Sequence, residues 1–505
     1  MNTEKNSAFL CQVIDPLLMN INRFATKNAF CINGIFYTYT QLGEYISKIR
    51  FAIKGLQQDN IHIGLVANDD IETYASIFAL WLEGKAYIPL HPNQPLDRCE
   101  EIIKQIKINT VLDSGKTSVF LNHHVINTRG LHYKNDFLVN DIDFDDNSLA
   151  YVLFTSGSTG IPKGVTLSRK NIGAFMDSFW DSGIVLTEND KCLQCFDLTF
   201  DVSVQCFLAP LTKGACVYTV PHDQIKYSYV YGLLEDQHLT FGAMAPSMLR
   251  YLKPYFGEIN VPSLKYCILT GEASPIDLVH HWEKCIPAAE IYNFYGPTET
   301  TIYCTYYKIN KSGEVKTLNG MLSIGKPMKN VKAIVIDENH NVLSKGEKGE
   351  LCIRGDQVSP GYWNSPEKNA EAFFEKELDG IIQRFYHTGD LCYYDYEESL
   401  MLYGRLDSQA KIQGYRVELG EIEYHAREYL GGNNAVVITF TNHIGNTELA
   451  LFIEGEKIST ASVINYLKTK IPPYMIPTKI IVEHEFPLNA NSKVDKRKLK
   501  EKIIQ

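Results

Sequence analysis

No run in this sequence stays apolar for the roughly 18 residues that a membrane-crossing helix needs. The opening Met1-Asn2-Thr3-Glu4-Lys5 is not followed by an apolar core and small-residue cleavage site, so a cytoplasmic protein is expected. Positive charge is short as well. The formal net charge is −10, which argues against nucleic acid as the main partner, because phosphate backbones call for a basic face. The one basic run, Lys496-Arg497-Lys498 with Lys500 and Lys502, reads as a solvated helix end. Zinc-type spacing is missing. Of twelve cysteines only Cys192 and Cys195 stand as CxxC, and no second pair or spaced histidines follow. Cys192 to Phe196 therefore reads as a buried strand. His123-His124 and His280-His281 carry no metal-site context, and repeats and low-complexity segments are absent.

What is present fits a folded, multidomain chain. The 505 residues exceed one hydrophobic core, and 45% hydrophobic with 21% charged residues is an ordinary balance. Apolar strand-like runs (Ile63 to Ala67, Leu149 to Phe154, Tyr266 to Leu269, Ala333 to Ile336) alternate with amphipathic stretches such as Ile71 to Glu83, which predicts an α/β fold. The polar Gly404-Arg405-Leu406-Asp407-Ser408-Gln409 reads as a domain joint. The remainder has its own strands at 435–438 and 449–453, enough for a small α+β domain. The expected division is 1–405 and 406–505.

The strongest local signal is Thr155-Ser156-Gly157-Ser158-Thr159-Gly160-Ile161-Pro162-Lys163-Gly164, directly after a strand-like run. Small residues let backbone approach phosphates, hydroxyls and N–H groups supply donors, and Lys163 adds charge. The spacing matches neither GxxxxGK[ST] nor GxGxxG, so neither a kinase-type loop nor a dinucleotide site is supported.

Further motifs follow in order: Gly84-Lys85-Ala86-Tyr87-Ile88-Pro89-Leu90, Phe200-Asp201-Val202-Ser203, Asn293-Phe294-Tyr295-Gly296-Pro297-Thr298-Glu299-Thr300, Gly349-Glu350-Leu351-Cys352-Ile353-Arg354-Gly355, His387-Thr388-Gly389-Asp390-Leu391, Gly404-Arg405-Leu406-Asp407, Lys411 to Glu423, and Asn489-Ala490-Asn491-Ser492-Lys493-Val494-Asp495. Over nearly the whole chain this set resembles the adenylate-forming superfamily, closest to adenylation domains of nonribosomal peptide synthetases and D-alanine carrier-protein ligases. The resemblance implies a large N-terminal domain of several subdomains and a small mobile C-terminal lid. It also implies ATP and Mg²⁺ as cofactors and two half-reactions. A carboxylate first attacks the α-phosphate of ATP; a phosphopantetheine thiol on a carrier then takes the acyl group. The first attack needs no general base, because a carboxylate is ionised at pH 7.

Carried over by position, Thr155, Ser156, Gly157, Ser158, Thr159 and Lys163 are expected at the phosphates. Glu299 is expected at Mg²⁺, with Thr298 near the α-phosphate. Gly271, Glu272, Asn293, Phe294 and Tyr295 should surround adenine. Asp390 should accept the ribose hydroxyls, with Arg405 beside it. Lys493 is expected to bridge carboxylate and α-phosphate, Asp407 to be the hinge, and Lys411 with Gly414 to face the site after rotation. Arg169 and Gln413 depart from the usual His and Arg.

The matching Asp201 implies an amino acid, since its counterpart pairs with an α-ammonium and a buried unpaired carboxylate is costly. By the same correspondence Val202, Gln205, Ser247, Ile268, Thr270, Phe294, Ile302 and Tyr303 complete the pocket. Two aromatics make it short, and neutrality favours a small or medium neutral amino acid. Part of the set is similar to proline-activating pockets, and D-alanine stays open. The partner is expected to be a separate carrier protein, because no carrier domain follows Lys493. A coenzyme A ligase is the alternative reading, and a regulatory nucleotide binder without catalysis is a third.

Overall fold

The computed structural model describes residues 7–57, 60–132, 145–157, 160–311, 313–407, 409–456, 458–488 and 494–503. Ser158, Thr159 and Lys493 lie outside the described residues, as does Ser408 in the expected joint.

Two largely parallel sheets form the body. The first orders its strands Gly361–Tyr362, Lys163–Ser168, Leu149–Thr155, Ala86–Leu90, His62–Val66, Thr110–Asp113 and His124–Asn127. The second has nine strands among the described residues, with Lys191–Gln194, Phe241–Met244, Tyr266–Leu269 and Glu290–Tyr295 side by side and parallel. Two helices, Ile71–Leu82 and Asp201–Thr212, are buried at every position. A helix apolar all round needs cover on all sides. Both contribute to one core that also takes Tyr87 and Leu153 from the first sheet and Phe241 and Ile268 from the second. The predicted helix at 71–83 ends one residue sooner, with Glu83 as its cap. Cys192 lies in strand Lys191–Gln194 with Cys195 just beyond, both buried. Burial lifts both thiols, Cys195 to about 12, so neither is a reactive thiolate.

An antiparallel sheet of Lys332–Ile336, Gly349–Arg354, Ile381–Tyr394, Phe373–Leu378 and Leu400–Arg405 completes the body. Its register sets Asp390 opposite Arg405. Beyond it, the hairpin Gln409–Ile412 and Tyr415–Glu418 turns at Gln413 (φ 51°) and Gly414 (φ 85°). Two left-handed residues are what a tight two-residue hairpin needs. Helix Leu419–Tyr429 and the three strands Ala435–Thr441, Thr447–Glu454 and Lys479–Glu483 follow. They close over a core of their own, including Ile422, Leu451 and Val463.

Separate cores imply separate unfolding. All four tryptophans (81, 180, 282, 363) fall in the body, so their fluorescence reports on it alone. Phe207→Ala, in the buried helix, should lower the stability read by fluorescence in urea by about 3–5 kcal/mol. Leu451→Ala should leave that transition in place and shift an earlier one seen by far-UV circular dichroism. An equal fluorescence shift from Leu451→Ala would show a single cooperative unit.

Candidate nucleotide and acyl site

Strand Leu149–Thr155 delivers the small-residue loop at its carboxyl end. A Cβ on Gly157 would lie 2.1 Å from the Ile161 carbonyl oxygen, so the tight loop admits only glycine there. The donors of this loop are taken by the C-terminal part. Ser156 Oγ donates to the Arg416 carbonyl (3.1 Å) and accepts from the Glu418 amide (2.9 Å). The Gly157 amide donates to Glu421 Oε2 (2.9 Å), and Glu421, wholly buried, is also paired with Arg98. Lys163, which opens the returning strand, has Nζ 3.8 Å from Glu418 and 4.9 Å above the Tyr362 ring. Thr155 Oγ1 is buried without a hydrogen-bond partner. Gly160 packs against the Tyr424 ring.

Glu299 sits in the short turn Thr298–Thr300 and is wholly buried. Burial alone would raise its carboxyl. The charges of Arg416 and Lys163 and the Tyr362 hydroxyl outweigh that and hold it down at about 2. Tyr362 donates to Oε1 (2.6 Å) and Arg416 Nη1 to Oε2 (2.8 Å). A hard oxygen donor kept ionised suits Mg²⁺. In this structure the Arg416 guanidinium occupies Oε2.

The residues expected around adenine and ribose meet in one cavity of about 680 Å³, lined by Gly271, Glu272, Asn293, Phe294, Tyr295, Asp390, Arg405 and Lys411. Asn293 is fixed by Ser274 and Ser323, which leaves Phe294 on the opposite face of the strand. Tyr295 donates its hydroxyl to Asp390, whose other oxygen takes Arg405 Nη1 at 2.8 Å. Arg405 also grips Asp407 (2.6 Å), which ties the expected hinge to the ribose-side pair. Glu272 accepts the Gly414 amide (2.6 Å) and the Ser247 amide (3.0 Å), so it braces the hairpin turn against the body. Lys411 lies with Nζ 5.6 Å from the Tyr295 ring centre, and burial lowers its pKa.

The acyl pocket starts from the buried helix Asp201–Thr212. Asp201 is its first residue and not its cap, since Phe200 holds the cap position. Burial raises the Asp201 carboxyl to about 7, against the Thr298 hydroxyl and the Val202 and Ile302 amides, which favour its charge. Oδ2 of Asp201 and Nε2 of Gln205 are buried without partners. Phe294 and Tyr303 lie 4.9 Å apart between ring centres, and the Tyr303 hydroxyl reaches Gln205 Oε1 at 3.5 Å. Val202, Ile268, Thr270, Ile302 and Ser247 are buried around them. Ile302 and Thr301 turn through φ 70° and 60°, which sets the Ile302 amide toward Asp201.

Several residues here were invisible to motif reading. Arg98 and Tyr362 belong to none of the sequence motifs. Arg416, Glu418 and Glu421 sit inside one, but their contacts cross from one part of the chain to the other. The unusual charge density of Arg416, Glu418, Glu421 and Glu423 was the one available signal.

A family model described as AMP-binding enzyme matches residues 19–363. Tyrocidine synthase 1 of Brevibacillus parabrevis is 31% identical over 92% of this chain and 42% of its own length. Gramicidin S synthase 1 of Brevibacillus brevis is 29% identical, again over 92% of this chain and 42% of its own length. The chain thus spans less than half the length of either. Among solved structures, the Vibrio cholerae adenylation domain AlmE in complex with glycyl-adenosine-5'-phosphate superposes with a TM-score of 0.86 at 22% identity, covering 100% of this chain and 99% of that one. An artificially fused adenylation–carrier di-domain from Klebsiella oxytoca gives 0.82 at 23%, covering 93% of each. The α/β body with a smaller C-terminal part is the architecture of these adenylation domains. By the model match over most of its length, the chain belongs to the AMP-binding enzyme family and is an adenylate-forming ligase related to the adenylation domains of nonribosomal peptide synthetases.

Proposed function

We propose that the protein activates a small neutral amino acid with ATP as its aminoacyl-adenylate and passes the acyl group to the phosphopantetheine thiol of a carrier protein. Asp201 carries this reading. A buried carboxylate with an unpartnered oxygen calls for a cationic donor, and an α-ammonium supplies one. Tyr303 and Gln205 are wholly buried and Phe294 is 2% exposed, and this close packing beside Asp201 favours a small side chain.

In the first half-reaction the ionised substrate carboxylate attacks without a base, and positioning with charge neutralisation lowers the barrier. Ser156, the Gly157 amide and Lys163 are the groups to cradle the outer phosphates. Glu299 is the group to hold Mg²⁺, which when bound neutralises phosphate charge. Lys493 is assigned to the reacting centre from its motif alone.

The lid position seen here suits the second half-reaction. The Arg416 carbonyl takes the Ser156 hydroxyl, Glu421 takes the Gly157 amide and the Arg416 guanidinium takes Glu299, so the outer phosphates and this lid position exclude each other. A second cavity of about 340 Å³, lined by Phe196, Phe200, Ser247, Gly414 and Tyr415 among others, lies between body and hairpin beside the pocket residue Ser247. It is the proposed thiol route, and Lys411 keeps a positive charge at the nucleotide cavity.

Asp201→Asn removes the ammonium's counter-charge. It should raise the amino-acid KM in ATP–pyrophosphate exchange at least about 10²-fold, the scale of an unpaired buried charge. The wild-type KM should fall from pH 6 to pH 8 as Asp201 ionises near 7, and the variant's should stay flat. The sign for stability is opposite. Between about pH 4 and 7 the unfolded chain releases this proton first, so the free wild type loses stability as pH rises. The Asp201→Asn melting temperature should therefore gain on wild type over that window. A KM unaffected by the substitution would remove the amino-acid reading.

A second pair of variants separates the half-reactions. Lys493→Ala should cut exchange by roughly 10²-fold. Gly414→Leu should spare exchange but block loading of a phosphopantetheinylated carrier, read by intact-protein mass spectrometry. Leucine at φ 85° is strained, and its Cβ would lie 3.3 Å from Ala245 Cβ, so the hairpin could not seat. Equal loss of both activities in Gly414→Leu would refute the two-position lid. Efficient acylation of free coenzyme A with no carrier loaded would replace the carrier by coenzyme A.

A further inference from the structure

Away from the nucleotide and acyl pockets, three metal-ligating side chains converge at the seam between body and lid. His91 follows strand Ala86–Leu90 of the first sheet. Asp197 and His222 follow Lys191–Gln194 and Cys216–Thr219 of the second. All three stand just past the carboxyl ends of parallel strands, where α/β folds gather ligands. One nitrogen of each imidazole and one carboxylate oxygen lie within 4.8 Å of one another. They line a cavity of about 410 Å³ that is capped by Tyr415 and Tyr474 of the C-terminal part, whose rings stack at 3.9 Å.

We propose that His91, Asp197 and His222 form a binding site for a divalent transition metal of the zinc class. Two imidazoles and one carboxylate are a borderline donor set with a fourth position open, which suits Zn²⁺ and not Mg²⁺ or Ca²⁺. The donors are prepared for it. The Asn93 amide donates to His91 Nδ1 (3.1 Å), so that nitrogen carries a lone pair. His222 Nε2 donates to the Ala67 carbonyl (3.1 Å), which leaves its Nδ1 unprotonated in the neutral ring. A backbone carbonyl behind an imidazole is the usual way a ligating histidine is oriented.

A cation already stands at the carboxylate. Lys226 Nζ is 3.4 Å from Asp197 Oδ1, and its side chain is 40% exposed, so it can withdraw to water when an ion enters. Donors on one zinc at about 2.0–2.1 Å are about 3.3 Å apart, so closing the site takes about 1.5 Å of side-chain movement and release of the Asn93 amide. The other Asp197 oxygen holds the Tyr415 hydroxyl. The ion would therefore sit against the residue that anchors the lid hairpin, and metal binding and lid seating would share Asp197.

The test is isothermal titration of the chelator-treated full chain with Zn²⁺, and Co²⁺ absorption to report ligand type. Cys11→Ser serves as background, since Cys11 is the exposed thiol among the described cysteines. One equivalent is expected, with no displacement by millimolar Mg²⁺. His91→Gln and His222→Gln should each weaken binding at least 10-fold, with folding checked by tryptophan fluorescence. Lys226→Gln should tighten it at least 3-fold, because the competing cation is gone. His387→Gln tests the second cluster, Glu350, Cys352 and His387, and should change nothing. Full binding in the His91→Gln/His222→Gln double variant, loss only in His387→Gln, or weaker binding in Lys226→Gln would each overturn the site.

Discussion

The Glu299 carboxylate is wholly buried, is held ionised, and must be met by positive charge. In this structure that charge comes from Arg416, which belongs to the C-terminal part. An ion pair removed from water is stable only when its remaining hydrogen bonds are filled. Here Tyr362 and Gln409 fill them. The pairing helps seat the C-terminal part, whose Arg416 carbonyl and Glu421 carboxylate meet the loop at Ser156 and Gly157. The Ser156 hydroxyl and the Gly157 amide then donate to the Arg416 carbonyl and the Glu421 carboxylate. On the proposed reading, a phosphate and the C-terminal part compete for the Gly157 amide and the Ser156 hydroxyl.

Two buried carboxylates end with very different proton affinities. Glu299 sits at about 2 and Asp201 at about 7. Both undergo the same kind of desolvation; they differ in company. Glu299 has the charges of Arg416 and Lys163 beside it, whereas Asp201 has neutral donors, one bare oxygen and the negative charge of Glu299 nearby. That contrast divides labour between them. On the proposed reading, the first would hold the metal and the second would pair with the substrate's ammonium.

The position of the lid also explains why cavities cluster along the seam. Glu272 on the Gly414 amide, Asp197 on the Tyr415 hydroxyl and Glu421 on Arg98 fasten the hairpin and helix at three points. Between the points, space remains on the nucleotide side, beside Ser247, and around His91 and His222.

The linear sequence determined the elements whose signals are local. The apolar spacing at 71–82 marked a helix, and the Ser/Thr/Gly/Lys run at 155–164 marked a small-residue loop fit for phosphate. It also determined the residue types at each motif, and so the class of chemistry. Tertiary structure decided which charges meet. Arg98 and Glu421 are separated by 323 positions, and Arg416 and Glu299 by 117. No periodicity links such pairs, because their energy depends on burial and distance that exist only after folding. The state of Asp201 was decided the same way: its identity is written in the chain, but its raised pKa and bare oxygen come from the helix, sheet and aromatic rings packed around it.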